Sequence, residues 1–245
     1  MIITFGDSQT GLIRKLNEDA ISFNDQHLFV LADGMGGYEG GQIASTSAVN
    51  SVNQFFTEEK CTFSEDTLRQ SVLYANRDIM ALKSHKTELS SMGTTLIVSA
   101  VEGNRFYWAH VGDSRLYIWH DNALTQITTD HSFVMELVSE GKISREEMRV
   151  HPRKNEITRA VGIQEDLKVD TGSGILQDDS LLLICSDGLS GMLEDEKINQ
   201  MISQSSRKTF EEVKQLGNQL MNAVYEAGAR DNVSLILIQF WNVEN

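Results

Sequence analysis

Short apolar runs separated by polar turns open the chain. Ile2 to Phe5, Ala20 to Phe23 and Leu28 to Ala32 read as strands, the last a buried one. From Gln42 the period changes. Ile43, Ala44, Ala48, Val52 and Phe55 recur at helical spacing, as do Leu68, Val72, Ala75, Ile79 and Leu82 within Ser64 to Ser84. Ser64 and Thr67 form a partial cap rather than a full capping box, and Glu65 and Asp66 suit the positive end of a helix.

The centre returns to strands at Thr94 to Val101, Arg105 to Val111 and Arg115 to Trp119. Gly103 and Asn104 between the first two are a hairpin signal, and HVGDSRLYIWHDNALTQI reads as two further turns of the same meander. Separations this short leave no room for crossover helices, so the centre is antiparallel. Asp130 to Gly162 is irregular and mixed in charge, with short helices expected at Phe133 to Ser139 and Ser144 to Val150 and an interruption at Pro152. It is either a mobile subdomain over a cleft or a packed surface insertion. Strands follow at Leu167 to Thr171 and Ser180 to Cys185, helices near Glu194 to Ser203 and Thr209 to Ala227, and a last strand at Val233 to Phe240.

No repeat or low-complexity linker divides the chain. Blocks of strands alternating with paired helices are satisfied by two antiparallel sheets covered by helices on their outer faces. The expectation is therefore an α+β fold and one domain over residues 1–245, with an insertion at 130–162.

Acidic residues outnumber basic ones by 35 to 21, a formal charge of -14. That excess repels polyanions, which argues against nucleic acid or an anionic membrane as the main partner, and it suits metal cations wherever carboxylates converge. Cys61 and Cys185 lie far apart and make no metal-type spacing. With no charged start leading into an apolar signal segment, and no run near the roughly 20 apolar residues that cross a bilayer, a cytoplasmic protein without membrane insertion is expected. No heptad pattern or interface stripe stands out, so a monomer is expected.

The segment LFVLADGMGGYEGG runs a buried strand onto Asp33 and then into glycines. An ordinary turn explains it, and so does a metal or phosphate site, because burying Asp33 is costly unless a cation meets it. Asp33 is not alone. Glu18 and Asp19 lead into the second strand, Asp187 follows LLLICS, and Asp231 precedes NVSLILI. One aspartate at a strand end is a common turn residue, whereas several brought together repel unless cations sit between them. Oxygen-only ligands suit Mg²⁺ or Mn²⁺. Two such ions about 4 Å apart, bridged by Asp33, can activate a water for in-line attack on phosphorus. Gly34 then offers an unobstructed backbone carbonyl, and Arg14 offers a planar fork for phosphate oxygens, with Lys15 beside it an ordinary surface residue.

Taken together, GLIRKLNEDA, LADGMGG, SMGTT, VGDSRLY, TTDHS, ITRAVG, SDGLSGML and ARDNVSLILI resemble the motifs of the metal-dependent PPM family of serine/threonine protein phosphatases, in its compact bacterial form. The resemblance runs from near Asp7 to near Ile238 and implies an αββα sandwich with a small flap. It implies Asp33 as the bridging ligand, Asp187 and Asp231 completing the first metal's ligands, the Gly34 carbonyl and, through water, Glu18 on the second, and Asp19 as a nearby acidic partner. Arg14 would bind phosphate and Asn232 would steady the terminal motif. A third site would pair Asp113 with Asp187, although Gly112-Asp113 also fits a plain hairpin turn. The implied reaction is hydrolysis of phosphoserine and phosphothreonine in proteins by a metal-activated water, with two Mn²⁺ or Mg²⁺ ions, or a third, as cofactors. Phosphorylated proteins and a serine/threonine kinase are the implied partners.

Some family members carry a histidine after the Asp-Gly pair as general acid, and here the position is Met35, which cannot donate a proton. His131 and His151 are weak replacements. His27, His85 and His120 read as turn or surface residues, His110 as a packed strand residue, and Met92 to Thr95, Trp108 and Trp119 as core. Two alternatives stand beside the protein phosphatase: a regulator that binds phosphoproteins without turnover, and a phosphoesterase acting on small molecules.

Overall fold

The computed structural model describes residues 1–36, 39–59, 61–85 and 89–242; Gly37 and Tyr38 of the glycine-rich segment lie outside them, as does the side chain of His85. The chain begins with β1 (Ile2–Gln9), β2 (Asp19–Phe23) and β3 (Leu28–Met35), then α1 (Gly40–Glu59) and α2 (Glu65–His85). β4 (Gly93–Thr94), β5 (Leu96–Glu102), β6 (Arg105–Val111), β7 (Arg115–His120) and β8 (Ala123–Gln126) form the centre. α3 (Phe133–Ser139), α4 (Arg145–Val150), β9 (Asp170–Ile175), β10 (Leu181–Cys185), α5 (Asp187–Ser190), α6 (Asp195–Ser203), α7 (Phe210–Glu226) and β11 (Val233–Phe240) complete it.

The strands make two sheets, one of five strands in the order β1-β11-β10-β7-β8 and one of six built on β2-β3-β5-β6-β9, with β4 added to β3. Every named pairing is antiparallel. Period-two alternation sends Phe29, Leu31, Ile97, Leu182, Ile184 and Ile236 into the layer between the sheets. The opposite faces of the same strands meet helices: Val30, Val98 and Ala109 pack with Ala44, Val52, Val72 and Ile79 of α1 and α2. Leu183 and Leu235 pack with Ile198, Leu216 and Leu220 of α6 and α7. The two-sheet sandwich with helical outer layers expected from the patterning is the architecture found.

The departures have local causes. Phe56 rather than Phe55 completes the buried face of α1, and Leu82, near the end of α2, is 42% exposed. Ser64 and Thr67 form a reciprocal cap, each backbone N–H donating to the other's hydroxyl at 3.1 and 2.9 Å, so the cap is fuller than expected. β9 begins at Asp170 rather than Leu167. Its register sets Gly172 opposite Trp108 and Gly174 opposite Phe106, where an added Cβ would overlap the aromatic rings, and a strand made of glycines under rings carries no apolar alternation. The meander expected through the centre does not continue past β6. β6 pairs with β5 and β9 in one sheet and β7 with β8 and β10 in the other, so Gly112 to Ser114 carries the chain across the sandwich instead of closing a hairpin. Gly112 takes φ +114, and a Cβ there would overlap Thr95.

Residues 127–169, between β8 and β9, hold α3 and α4 around their own small cluster of Val134, Met135 and Met148. Among the described residues the strand-like ties of this insertion are two isolated bridges, Ser132 with Ile157 and Thr94 with Val161. α4 starts on a complete capping box, with Ser144 and Glu147 bonding reciprocally.

His110 of β6 is fully buried, stacks on His131 with centroids 4.6 Å apart, and finds no hydrogen-bond partner for either ring nitrogen among the described residues. Burial, with His131 adding to it, lowers its pKa to about 3. The folded chain therefore binds fewer protons than the unfolded chain between that value and the ordinary 6.5, and this contribution to stability is lost as pH falls through that window. Replacing His110 with Gln is expected to flatten the acid side of the stability profile by up to about 1.4 kcal/mol per pH unit, measured by urea unfolding from pH 7 to pH 4. Parallel profiles for the two proteins would refute the assignment.

Candidate metal centre

Pairing β10 against β11 brings the end of one strand beside the start of the other, which sets Asp187 next to Asp231 and Asn232. The approach is close: a Cβ on Gly188 would overlap the Asn232 carbonyl. From the second sheet comes Asp33, late in β3 and paired in register with Asp19 of β2. The Asp33 N–H donates to Thr95 Oγ1 at 2.9 Å, and its carbonyl accepts from Thr94 Oγ1 and the Thr95 N–H, both at 2.8 Å. The Thr95 and Ser114 hydroxyls lie 2.8 Å apart, which ties the crossover carrying Asp113 to the same strand.

Arg14, Glu18, Asp33, Gly34, Asp113, Asp187 and Asp231 all line one open cavity of about 460 Å³, joined by Met35, Thr95, Asn155, Ile157 and Asn232. Asp19 sits behind it. It is buried, its Oδ2 accepts from Ser186 Oγ at 2.9 Å and Ser234 Oγ at 2.7 Å, and its Oδ1 has no partner among the described residues. Arg14 Nη2 donates to Asp231 Oδ2 at 2.7 Å, so the expected phosphate clamp here neutralises a carboxylate. Asn232 is the hub of the rim. Its Oδ1 accepts from the Glu18 N–H at 2.8 Å, and its Nδ2 donates to the carbonyls of Thr10 and Leu16, each at 2.9 Å.

The electrostatics are those of crowded like charges. Burial, then repulsion from Asp19, Asp187, Asp113 and Asp231, raises the pKa of Asp33 well above the ordinary carboxylate value. Burial, then Asp187 and Asp130, does the same to Asp113. Asp19 is raised to about 6, by burial first and Asp187 after it, and Asp187 to about 6, by burial first and Asp231 after it. Glu18 is raised chiefly by burial, against the pull of Arg14. A floor of carboxylates that holds charge this poorly alone, lined by neither His nor Cys and backed by an orphaned Asp19 oxygen, fits hard divalent cations. Among the described residues no three of these side chains close round a single point. A bound ion would therefore draw part of its shell from backbone and water, as Mg²⁺ and Mn²⁺ tolerate.

A second cavity adjoins the first through Asp113 and Asp187 and is walled by Arg115, Asp130, Met148 and Lys154. Arg115 grips Asp130 through Nε and Nη2, at 2.9 and 2.7 Å, and donates to Tyr117 Oη at 3.0 Å. Arg115 lies in VGDSRLY and Asp130 in TTDHS, and neither motif carries a local sign of the pairing. Thr95 was assigned to the core, and it is indeed buried, yet it also lines the cavity. His131 is buried, its Nδ1 accepts from the Gly112 N–H at 3.1 Å, its Nε2 faces Asp170 Oδ2 at 3.2 Å, and it lines neither cavity. His151 accepts from the Arg153 N–H and likewise lines neither. Neither thiol reaches the centre: Cys185 is buried in β10, and Cys61 follows α1 far along the chain.

A carboxylate floor at the rim of two antiparallel sheets inside helical layers defines a candidate site for hard divalent cations, and comparison with known proteins bears on it directly. Residues 14–227 match the family model for protein phosphatase 2C, so the chain belongs to the protein phosphatase 2C family. It is 33% identical over 237 residues, 94% of this chain and 92% of the relative, to the serine/threonine phosphatase stp of Listeria monocytogenes. It is 35% identical over 230 residues to the serine/threonine protein phosphatase PstP of Mycobacterium tuberculosis, spanning 43% of that longer protein. The crystal structure of Mycobacterium tuberculosis PstP/Ppp superposes with a TM-score of 0.90 at 32% identity, covering 98% of this chain and 99% of that one. A PstP catalytic domain in complex with two manganese ions superposes at 0.87 and 31% identity, covering 99% and 100%.

Removing the rim hub tests this geometry without any assay of function. Asn232→Ala leaves the Glu18 N–H and two carbonyls without their partner, and unfolding free energy is expected to fall by about 1–3 kcal/mol. Urea denaturation reads it out, and an unchanged midpoint would mean that water serves these groups equally well.

Proposed function

We propose that the chain is a serine/threonine protein phosphatase that hydrolyses phosphoserine and phosphothreonine in proteins, with two Mn²⁺ or Mg²⁺ ions in the carboxylate cavity. The observation that carries this reading is the convergence of Asp33, Asp113, Asp187 and Asp231, all partly buried, on one cavity where like charges crowd. Family membership supports the reaction, and the manganese complex of the PstP catalytic domain supports the ion type.

Asp33, Asp187 and Asp231, with the Gly34 carbonyl and Glu18, are the residues to hold the pair, and Asp113 with Asp187 would hold a third ion. When bound, such ions supply positive charge for the phosphate and lower the pKa of a coordinated water. The chain's own part is orientation and exclusion. Thr95 and the β4 segment fix the backbone of Asp33, and Asn232 fixes the loop that carries Arg14 and Glu18. Arg14 has a half-exposed guanidinium that can leave or share Asp231 and fork onto phosphate oxygens. Asp19, sealed behind Asp33 by Ser186 and Ser234, keeps a further negative charge close to the site. Met35 stands at the rim and donates no proton, and His131 and His151 lie outside the cavity, so no histidine among the described residues lines it to protonate the leaving oxygen. Neither the binding-only alternative nor the small-molecule alternative has a specific feature of the site in its favour.

A phosphothreonine peptide assayed with Mn²⁺ should be turned over by the wild type and lose all turnover on chelation. Asp33→Ala and Asp231→Ala should each lower kcat/KM by about 100-fold or more, the scale of removing a preorganised electrostatic group. Turnover in both variants at the wild-type rate would end the proposal.

A further inference from the structure

α2 lies against the outer face of the six-stranded sheet, beside α1. Three residues at spacing i, i+3 and i+7, Asn76, Ile79 and Lys83, share one face of it. All three close on one glycine, Gly162, where the insertion rejoins the body of the protein. The Gly162 N–H donates to Asn76 Oδ1 at 2.7 Å, and its carbonyl accepts from Lys83 Nζ at 2.6 Å. A Cβ on Gly162 would overlap Ile79, and φ of +84 leaves the position to glycine. Asn76 also donates through Nδ2 to the Gln164 carbonyl at 2.8 Å, and Lys83 reaches the Met92 carbonyl at 3.2 Å.

The clamp leads to the metal centre in two short steps. Val161 exchanges two hydrogen bonds with Thr94, at 2.9 and 3.0 Å, and Thr94 Oγ1 donates to the Asp33 carbonyl at 2.8 Å. Upstream of Gly162, the same segment places Asn155 and Ile157 on the wall of the cavity. The nature of the Lys83 contact is informative. Its ammonium makes no salt bridge among the described residues, and burial lowers its pKa. A methionine would pack this helix face at lower desolvation cost, so what the lysine adds is the joining of two carbonyls from segments far apart in the chain.

We propose that Asn76 and Lys83 are positioning residues that lock the returning end of the insertion to the catalytic strand, and thereby set how the peptide around the phosphorylated residue is received. The proposal rests on the phosphatase reading for its substrate. The second cavity, about 90 Å³ and walled in part by Val134, Met148 and Lys154 of the insertion, opens beside Asp113 and Asp187, where it would receive a side chain flanking the phosphorylated residue. A small aryl phosphate would reach no further than the first cavity, with its ions and Arg14.

The test compares wild type, Lys83→Met, Lys83→Arg and Asn76→Ala as full chains with Mn²⁺, on a phosphothreonine peptide and on p-nitrophenyl phosphate, alongside amide hydrogen exchange over residues 151–164. Lys83→Met and Asn76→Ala should raise the peptide KM about five- to tenfold with kcat within about twofold, and leave kcat/KM for the aryl phosphate unchanged. Exchange at Val161 and Gly162 should quicken by about tenfold, and Lys83→Arg should restore part of both effects. Equal losses on the two substrates, or wild-type exchange at Gly162 in Lys83→Met, would overturn the proposal. If the wild type hydrolyses neither substrate, the phosphatase reading fails, and exchange at Gly162 still decides whether the clamp exists.

Discussion

Repulsion among carboxylates is the constraint round which this protein is arranged. Asp33, Asp113, Asp187 and Asp231 come from four separate stretches of chain and share one cavity, while Asp19 presses from behind. Nothing in the hydrophobic effect asks for that gathering. The two packed sheets tolerate it because their interlayer core and the helical layers outside hold the strand ends still, whatever the charges prefer. Divalent cations bound between these carboxylates would reverse the sign of the problem.

The confinement is achieved mostly by hydroxyls and backbone. Thr94, Thr95, Ser114, Ser186 and Ser234 each spend a hydroxyl on a carboxylate-bearing segment or on a carboxylate itself. Such groups add no charge, are short enough for tight packing, and lose little rotamer freedom when buried. Arg115 is different. It lines the second cavity, where its charge favours ionised Asp113 and Asp187 while its bidentate partner Asp130 opposes the ionisation of Asp113.

The layers of the fold were legible because burial imposes periodicity. β11, α3 and the buried face of α2 could be read almost residue by residue from apolar spacing. β9 could not, since its identity depends on Trp108 and Phe106 lying over Gly172 and Gly174, a relation between strands distant in sequence. The same holds for the crossover at Gly112 to Ser114: two strands and a glycine-aspartate pair look alike whether the chain folds back or passes to the other sheet. At the site, the acidic positions were visible as strand-end anomalies. Asn155 and Ile157 were not, because they reach the cavity from the irregular insertion, where neither period applies. The ion pair of Arg14 with Asp231, across 217 positions, likewise has no local signature.

The passage of the chain through Gly112 to Ser114 makes the thickness of the sandwich a chemical variable. Asp33 belongs to one sheet, Asp187 and Asp231 border the other, and Asp113 rides the span between them. Leu31 and Ile97 of one sheet share a buried layer with Ile184 and Ile236 of the other, so the same apolar contacts that join the sheets also hold apart the strand ends that bear these oxygens. Apolar side chains with no access to solvent thus act as the spacer between the two halves of a polar cavity.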